Sequence, residues 1–201
     1  MSSSAPRSPE DQLELALASL EHGAKKRRSG FHHGVLATLA PTGPAARTLI
    51  LRGLERDPLA IRFHCDSRSQ KLNEIIENPK AEACFYSPAD RLQIRLAGEL
   101  TCFTEGEILE KAWAETQLLS KRVYLAGQAP GTQLDDPSQA LPDHLRDREP
   151  TEEESLPGRQ NFAVLVLKAT KLDVMELHIS GHIRSRHTLE PTGWKSIWTQ
   201  P

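Results

Sequence analysis

The chain is organised around four segments: ARTLILR at residues 46–52, IRFHCD at 61–66, SRSQKLNEII at 67–76 and LQIRLAG at 92–98. The first, second and fourth segments alternate apolar and polar residues, which is typical of half-buried strands. The third places Leu72, Ile75 and Ile76 at helical spacing and ends at Asn78-Pro79. These segments predict strands grouped around one short helix.

Six cations lie within or beside these apolar segments, and no run of acids accompanies them: Arg47, Arg52, Arg62, Arg68, Lys71 and Arg95. Because an unpaired charge near a core is costly, these cations need anions. Either acids elsewhere in the fold or a bound phosphate would supply them. Ser67 and Ser69 are predicted to open the helix, with Lys71 in its first turn. A phosphate there would meet N–H groups, hydroxyls and an ammonium.

The remaining patterns predict a mainly β fold with helices (α+β), built from hairpins as a small antiparallel barrel. A helix over 11–21 ends near Gly23, and Lys25–Arg28 follows as a solvated basic turn or as a surface patch for an anion. Thr104 and Glu107 form a capping-box pattern that predicts a helix over 105–125. Strands are predicted at 35–40, 46–51, 59–65, 81–86, 92–103, 162–168, 172–177, 182–187 and 194–198, and helices at 67–78, 142–146 and 151–155. We expect a disordered 1–10, a single domain over 11–201, and a long loop excursion over 128–158.

Composition excludes several classes of function. The 201 residues carry a formal net charge of −2, so no bulk basic field would recruit nucleic acid. No apolar run is long enough for a membrane helix, and the first ten residues lack the hydrophobic segment of a secretory signal. The three cysteines are expected to be reduced and structural, in the cytoplasm. His178, His182 and His187 lie in a predicted strand, where a spacing of four separates side chains by about 13 Å, so no metal site is expected.

The ordered set RTLILR, FHCDSRSQK and LQIRLAG resembles the FMN site of pyridoxamine 5'-phosphate oxidase-like proteins. The resemblance covers residues 31–103 well and 160–201 loosely. It implies a split β-barrel that binds FMN at the interface of a homodimer. Arg47 and Arg52 lie five positions apart and point to opposite faces of a regular strand, so one ligand atom cannot engage both.

The resemblance implies roles for individual residues. Arg47 and Lys71 would hold the FMN phosphate, and Gln93 and Arg186 would contact the flavin ring. Arg52 replaces a lysine that contacts substrate in the family, and His182 and Arg184 fall near the family's substrate-binding trio. The full set implied for the cofactor is Arg47, Thr48, Leu49, Ile50, Leu51, Arg52, His64, Cys65, Ser69, Gln70, Lys71, Gln93 and Arg186.

Departures from the family pattern concentrate in its substrate half. Gln70 replaces an arginine, whose charge Arg68 could supply, and the tryptophan of the closing motif is missing near Leu177. Tyr124, Arg122 and Ser120 do not match the order of the substrate-phosphate cradle. We therefore expect an FMN-dependent oxidoreductase acting on an unidentified small molecule, with no named catalytic residue. The alternatives are a true pyridoxamine 5'-phosphate oxidase and a non-catalytic flavin or haem binding protein.

Overall fold

A computed structural model describes residues 8–201. Its strands are β1 (His33–Ala40), β2 (Gly43–Arg56), β3 (Leu59–Asp66), β4 (Lys80–Ser87), β5 (Leu92–Phe103), β6 (Phe162–Glu176), β7 (Ile183–Glu190) and β8 (Gly193–Trp198). Its α-helices are α1 (Pro9–Lys25), α2 (Lys71–Glu77), α3 (Glu107–Glu115), α4 (Leu118–Lys121) and α5 (Glu152–Ser155). Short 3-10 helices span Arg122–Leu125, Pro137–Ala140, Asp143–Leu145 and Leu156–Asn161. Residues 1–7 of the segment predicted to be disordered lie outside the described residues. α1 begins at Pro9, with Ser8 as its N-cap.

The strands form one antiparallel sheet that closes into a ring. The order is β3-β2-β1-β4-β5-β6-β7-β8, and an additional pairing of β3 with β6 joins the ends of the first six strands. The beginning of β6 pairs with β3 and with β5, while its second half carries β7 and β8 away from the ring. The predicted mainly β barrel is confirmed.

Two apolar clusters hold the elements together. The larger fills the ring with side chains such as Leu51, Phe63, Phe85, Ile94 and Leu165, and α1 and α2 cover it. The smaller joins α3 and the 3-10 helix at 122–125 to the start of β6 through Trp113, Tyr124 and Phe162. Burial of apolar area on this scale is the main force that stabilises such a domain.

The helix predicted over 105–125 is wrong, because the chain breaks after Glu115. α3 ends there, and Thr116 and Gln117 adopt extended backbone before α4 begins. The predicted capping box at Thr104 is also wrong: Gly106 is the N-cap, with φ of 88° and no side-chain hydrogen bond. The break brings Thr116, Gln117 and Ser120 to the wall of a cavity that they share with β3.

Two further boundaries differ from the prediction. The strands expected at 162–168 and 172–177 form the single strand β6, which absorbs the polar residues between them in a bulge opposite Ala97 and Gly98. The predicted helix at 67–78 begins only at Lys71, so Ser67 and Ser69 lie in the preceding turn and do not cap it. Ile76, expected on the apolar face, is 78% exposed.

Candidate functional site

Arg47 projects from β2 towards α2, where a carboxylate meets it. Its Nη2 donates to Oε2 of Glu74 at 2.8 Å, and its Nη1 donates to Oγ1 of Thr38 at 2.5 Å. Thr38 in turn donates to the same Glu74 oxygen at 2.5 Å. Glu74 therefore supplies an anion of the kind that the sequence required for Arg47.

The Glu74 carboxylate stays ionised in this setting. Burial raises its pKa, but the hydrogen bonds from Thr38 and Arg47 and the charge of Lys71 outweigh that effect, so that the pKa lies below its usual value. A ligand phosphate near Arg47 would thus share the guanidinium with a permanent negative charge.

Lys71 lies at the first position of α2 and is close to the same group of side chains. Its ammonium acts electrostatically on Glu74, Cys65 and Cys102, and Arg47 also acts on Cys65. Among residues 8–201, no ion pair involves Lys71. The structure thus brings Arg47 and Lys71 together, and the Lys71 ammonium can bind a further anion.

The other residues predicted around the phosphate are placed differently. Ser69 is buried, Gln70 is exposed, and Cys65 faces the core, where burial raises its thiol pKa to about 12. Arg68 is bound to Asp66 at 2.7 Å and to the carbonyl oxygen of Ala126 at 3.0 Å. Its guanidinium is therefore already bound to one carboxylate, as that of Arg47 is.

Beside this cluster the main chain of β2 has an open edge. β2 pairs with β1 along Gly43–Ile50, whereas its pairing with β3 begins only at Leu51, opposite Phe63. In the part of the chain that the structure describes, residues 43–50 therefore have no strand on their second edge. Thr48 is exposed, Leu49 and Ile50 are half-buried, and Leu51 is fully buried.

A cavity of about 380 Å³ lies further along β2 and β3. Ile50 and Arg52 line it from β2, and Arg62 and His64 line it from β3. Lys25 reaches it from the end of α1, and Arg27 from the turn that follows. As the alternation of the strand predicts, Arg52 and Arg47 are on opposite faces of β2. Glu115 lies at the rim, 3.7 Å from Arg62.

His64 is half-buried and packs against Phe162 at a ring-centroid distance of 4.8 Å. Burial, reinforced by the charges of Arg52 and Arg62, lowers its pKa to about 3. The imidazole is therefore neutral at physiological pH.

The C-terminal candidates lie elsewhere in the structure. Arg184 and Arg186 on β7 both bind Asp173, at 2.8 and 3.1 Å, and Arg186 lines a separate depression with Arg95. Gln93 lies on β5 between Tyr86 and Met175, and His182 is exposed just before β7. Within this chain, these residues are therefore not brought together with Arg47 or Arg52.

Several site residues were missed by sequence reasoning. Thr38 and Glu74, which bind the Arg47 side chain, were not predicted as its partners. Arg62 lies on the same face of β3 as His64, and the sequence analysis gave it no role. The i, i+2 alternation of Arg62 and His64 in β3 was the available signal for that shared face. Nothing local in the sequence indicates that Lys25 and Arg27 border the same cavity.

Known proteins resemble this chain in sequence. The sequence model of a family described as pyridoxamine 5'-phosphate oxidase, FMN-binding domain, matches residues 14–104. A pyridoxine/pyridoxamine 5'-phosphate oxidase 2 of Arabidopsis thaliana is 26% identical over 188 residues, covering 88% of this chain and 90% of that protein. A pyridoxine/pyridoxamine 5'-phosphate oxidase of Rhodopseudomonas palustris is 36% identical over 73 residues, covering 36% of this chain and 34% of that protein.

Solved structures extend the similarity to the whole chain. A pyridoxamine 5'-phosphate oxidase-related, FMN binding protein from Nostoc punctiforme has a TM-score of 0.71 at 29% identity, with 100% of both chains covered. PhzG from Burkholderia lata has a TM-score of 0.71 at 18% identity, with 98% of this chain and 94% of PhzG covered, and shows a shared fold. The predicted resemblance to the pyridoxamine 5'-phosphate oxidase-like family is confirmed.

Within residues 8–201 no three His, Cys, Asp or Glu side chains are grouped as metal ligands. None of the helices in that range combines the length and apolar character required to span a membrane. The three cysteines are free thiols.

Proposed function

We propose that this protein binds FMN and acts as an FMN-dependent oxidoreductase on a small molecule. The proposal rests on the open edge of β2, which is flanked by Arg47 and Lys71 inside the segment that matches the family's FMN-binding domain. Unpaired main-chain groups beside two cations suit a nucleotide that carries both a polar ring and a phosphate. The chain's own residues therefore fit the cofactor.

Particular side chains would hold the cofactor. Lys71, Arg47 and Ser69 would bind the phosphate, and residues 48–51 would lie along the ring. Gln93 can both donate to and accept from a flavin pyrimidine. Because Arg186 lies away from β2 in the protomer, we propose that it reaches the ring from the second subunit of a homodimer, which would build two equivalent sites.

When bound, the flavin supplies hydride transfer. The protein's part is to fix the ring, to exclude water and to orient the substrate against it. No side-chain acid or base is strictly required for that transfer, and we assign none.

A second candidate, pyridoxine/pyridoxamine 5'-phosphate oxidase activity, is supported by the match to the Arabidopsis thaliana oxidase over 88% of this chain. Formation of pyridoxal 5'-phosphate by the purified FMN-loaded protein would establish it. Absence of that product from the FMN-loaded protein would reject it.

Absorbance of the freshly purified protein, followed by mass analysis of what denaturation releases, tests cofactor binding. A flavin spectrum and released FMN are expected, and haem or a colourless protein that takes up no flavin would contradict the proposal.

Lys71→Gln should weaken FMN binding at least about tenfold, the usual effect of losing one charged hydrogen bond. Lys80→Gln, on an exposed residue just after the same helix, is the matched control. Bound flavin that no nicotinamide donor reduces would indicate a carrier.

A further inference from the structure

The guanidinium of Arg47 uses only part of its hydrogen-bonding capacity. Nη1 donates to Oγ1 of Thr38 and to the carbonyl oxygen of Leu36, and Nη2 donates to Oε2 of Glu74. Because the Thr38 and Glu74 oxygens lie 2.5 Å apart, they share the end of the planar group, where Nη1 and Nη2 point in parallel. Nε–H and the second N–H of Nη2, on the side of the group, have no partner among the residues that the structure describes.

Solvent exposure shows from which direction a ligand can approach this pair. The Arg47 side chain is 22% exposed, whereas the Glu74 side chain is 6% exposed. Thr38 is buried as well and donates to Glu74, so the carboxylate is fixed on the inner side of the guanidinium. A ligand therefore meets Arg47 while Glu74 stays in place. Two adjacent N–H donors in one plane suit two oxygens of a phosphate group.

The charges around Arg47 and Lys71 largely cancel. Arg47 forms a neutral pair with Glu74, and Arg68 forms another with Asp66. Within residues 8–201 no ion pair involves Lys71, which leaves one uncompensated positive charge. A phosphate monoester carries a charge of about −1.5 to −2 at neutral pH. Glu74 thus removes part of the positive charge that such a phosphate would otherwise meet.

We propose that Glu74 stands in for the phosphate of FMN in the cofactor-free protein: it keeps Arg47 oriented towards the site, and its charge weakens the binding of FMN. The proposal rests on the proposed binding of FMN and deepens it. Without the carboxylate, a half-buried guanidinium would lack an anion whenever the site is empty. Glu74 is therefore a positioning residue that stabilises the empty protein and makes FMN easier to release.

The affinities of FMN and of riboflavin, which lacks the phosphate, test this role by flavin fluorescence quenching. Glu74→Gln keeps an acceptor for Arg47 and removes the charge. It should bind FMN about tenfold more tightly and leave the affinity for riboflavin unchanged. Glu77→Gln removes the same charge from an exposed position on α2 and should change neither affinity. A purely structural role of Glu74 would change both affinities in the same proportion.

The same substitution in a second background provides an independent test. Arg47→Gln should weaken FMN binding at least about tenfold, because the Glu74 carboxylate then faces the phosphate without a cation between them. Adding Glu74→Gln to that variant should restore most of the lost affinity for FMN, again with no change for riboflavin. The double variant lacks both charges of the pair, so it leaves neither a buried cation nor a buried anion uncompensated.

The ratio of the FMN affinity to the riboflavin affinity decides the outcome. If Glu74→Gln leaves this ratio unchanged or lowers it, the role assigned to Glu74 is overturned. The wild-type background decides where Glu74→Gln folds, and the Arg47→Gln background decides where it does not. If the wild-type protein does not bind FMN, the proposed function fails instead.

Discussion

At the scale of single residues, Arg47 shows how much of a site a sequence reveals. Cations inside apolar strands predict a need for anions, and the strand alternation predicts that Arg47 and Arg52 face opposite ways. The identity of the anion depends on tertiary packing: Glu74 reaches Arg47 from a helix 27 positions away. Sequence reasoning therefore locates the cation and cannot tell a carboxylate partner from a phosphate.

Replacing Arg47 should destabilise the protein. Arg47→Gln leaves the buried Glu74 carboxylate without its cation, so we expect a loss of about 1–3 kcal/mol in the free energy of unfolding, measured with urea. The double variant Arg47→Gln/Glu74→Gln should recover part of that loss. Arg56→Gln, which removes exposed ion pairs to Glu14 and Glu21, should cost less than about 1 kcal/mol. Equal effects at both arginines would argue against a special role for the Arg47 pair.

His64 should make the protein sensitive to acid. Its pKa of about 3 in the folded state lies below the ordinary value of 6.5, so the unfolded chain binds the proton more readily. Stability should therefore be full above pH 6.5 and fall as the pH drops from there towards 3, by about 1–2 kcal/mol between pH 7.5 and pH 5 from this group. Urea unfolding at the two pH values measures it, and His64→Gln should flatten the difference. An unchanged difference in that variant would assign the acid sensitivity to other groups, such as His187.

At the scale of elements, the periodicity of apolar residues located most strands but did not predict where a strand or helix continues and where it breaks. The apolar pattern is interrupted at 169–171, yet β6 runs through this stretch because a bulge accommodates the irregular register. Conversely, the apolar spacing over 105–125 suggests one helix, but the helix breaks at Thr116, whose hydroxyl lies beside His64. Contacts with residues distant in sequence decide both cases, and local sequence patterns carry no information about those contacts.

The bulge depends on Gly98. A Cβ at this position would overlap the carbonyl oxygen of Lys168 on the paired strand, and main-chain atoms cannot rotate away. Gly98→Ala should therefore lower the free energy of unfolding by about 1–3 kcal/mol in urea titrations. Gly127→Ala, where nothing lies within 4 Å of the added atom, is the control and should change stability little. Similar effects of the two substitutions would show that the bulge tolerates a side chain.

At the scale of the whole molecule, the candidate residues fall into groups that lie apart within the chain. The sequence predicts the ring of strands and the residues around Arg47 because they come from one continuous segment. It cannot place Arg186, whose separation from β2 is set by the way in which β6 carries β7 away from the ring. A second subunit is our proposal for uniting them.

Mixed dimers would test that arrangement. Lys71→Gln and Arg186→Gln should each weaken FMN binding when pure, because each damages both sites of its homodimer. After the two are unfolded and refolded together, random pairing should restore about a quarter of the sites, since each heterodimer combines one intact site with one doubly damaged site. Titration with FMN counts the restored sites, and refolded Lys71→Gln alone is the control. No restoration would place both residues in the same subunit's site.

The double pairing of β6 also governs when the molecule can fold. β3 finds its closing partner about 100 residues later in the chain, beyond the segment that matches the FMN-binding family. When the ribosome has released the chain as far as residue 104, one edge of β3 is therefore still unpaired. An exposed strand edge of this kind favours aggregation. Synthesis must pass residue 168 before the pairing of β3 with β6 can be completed, so the growing chain carries an unpaired strand edge until then.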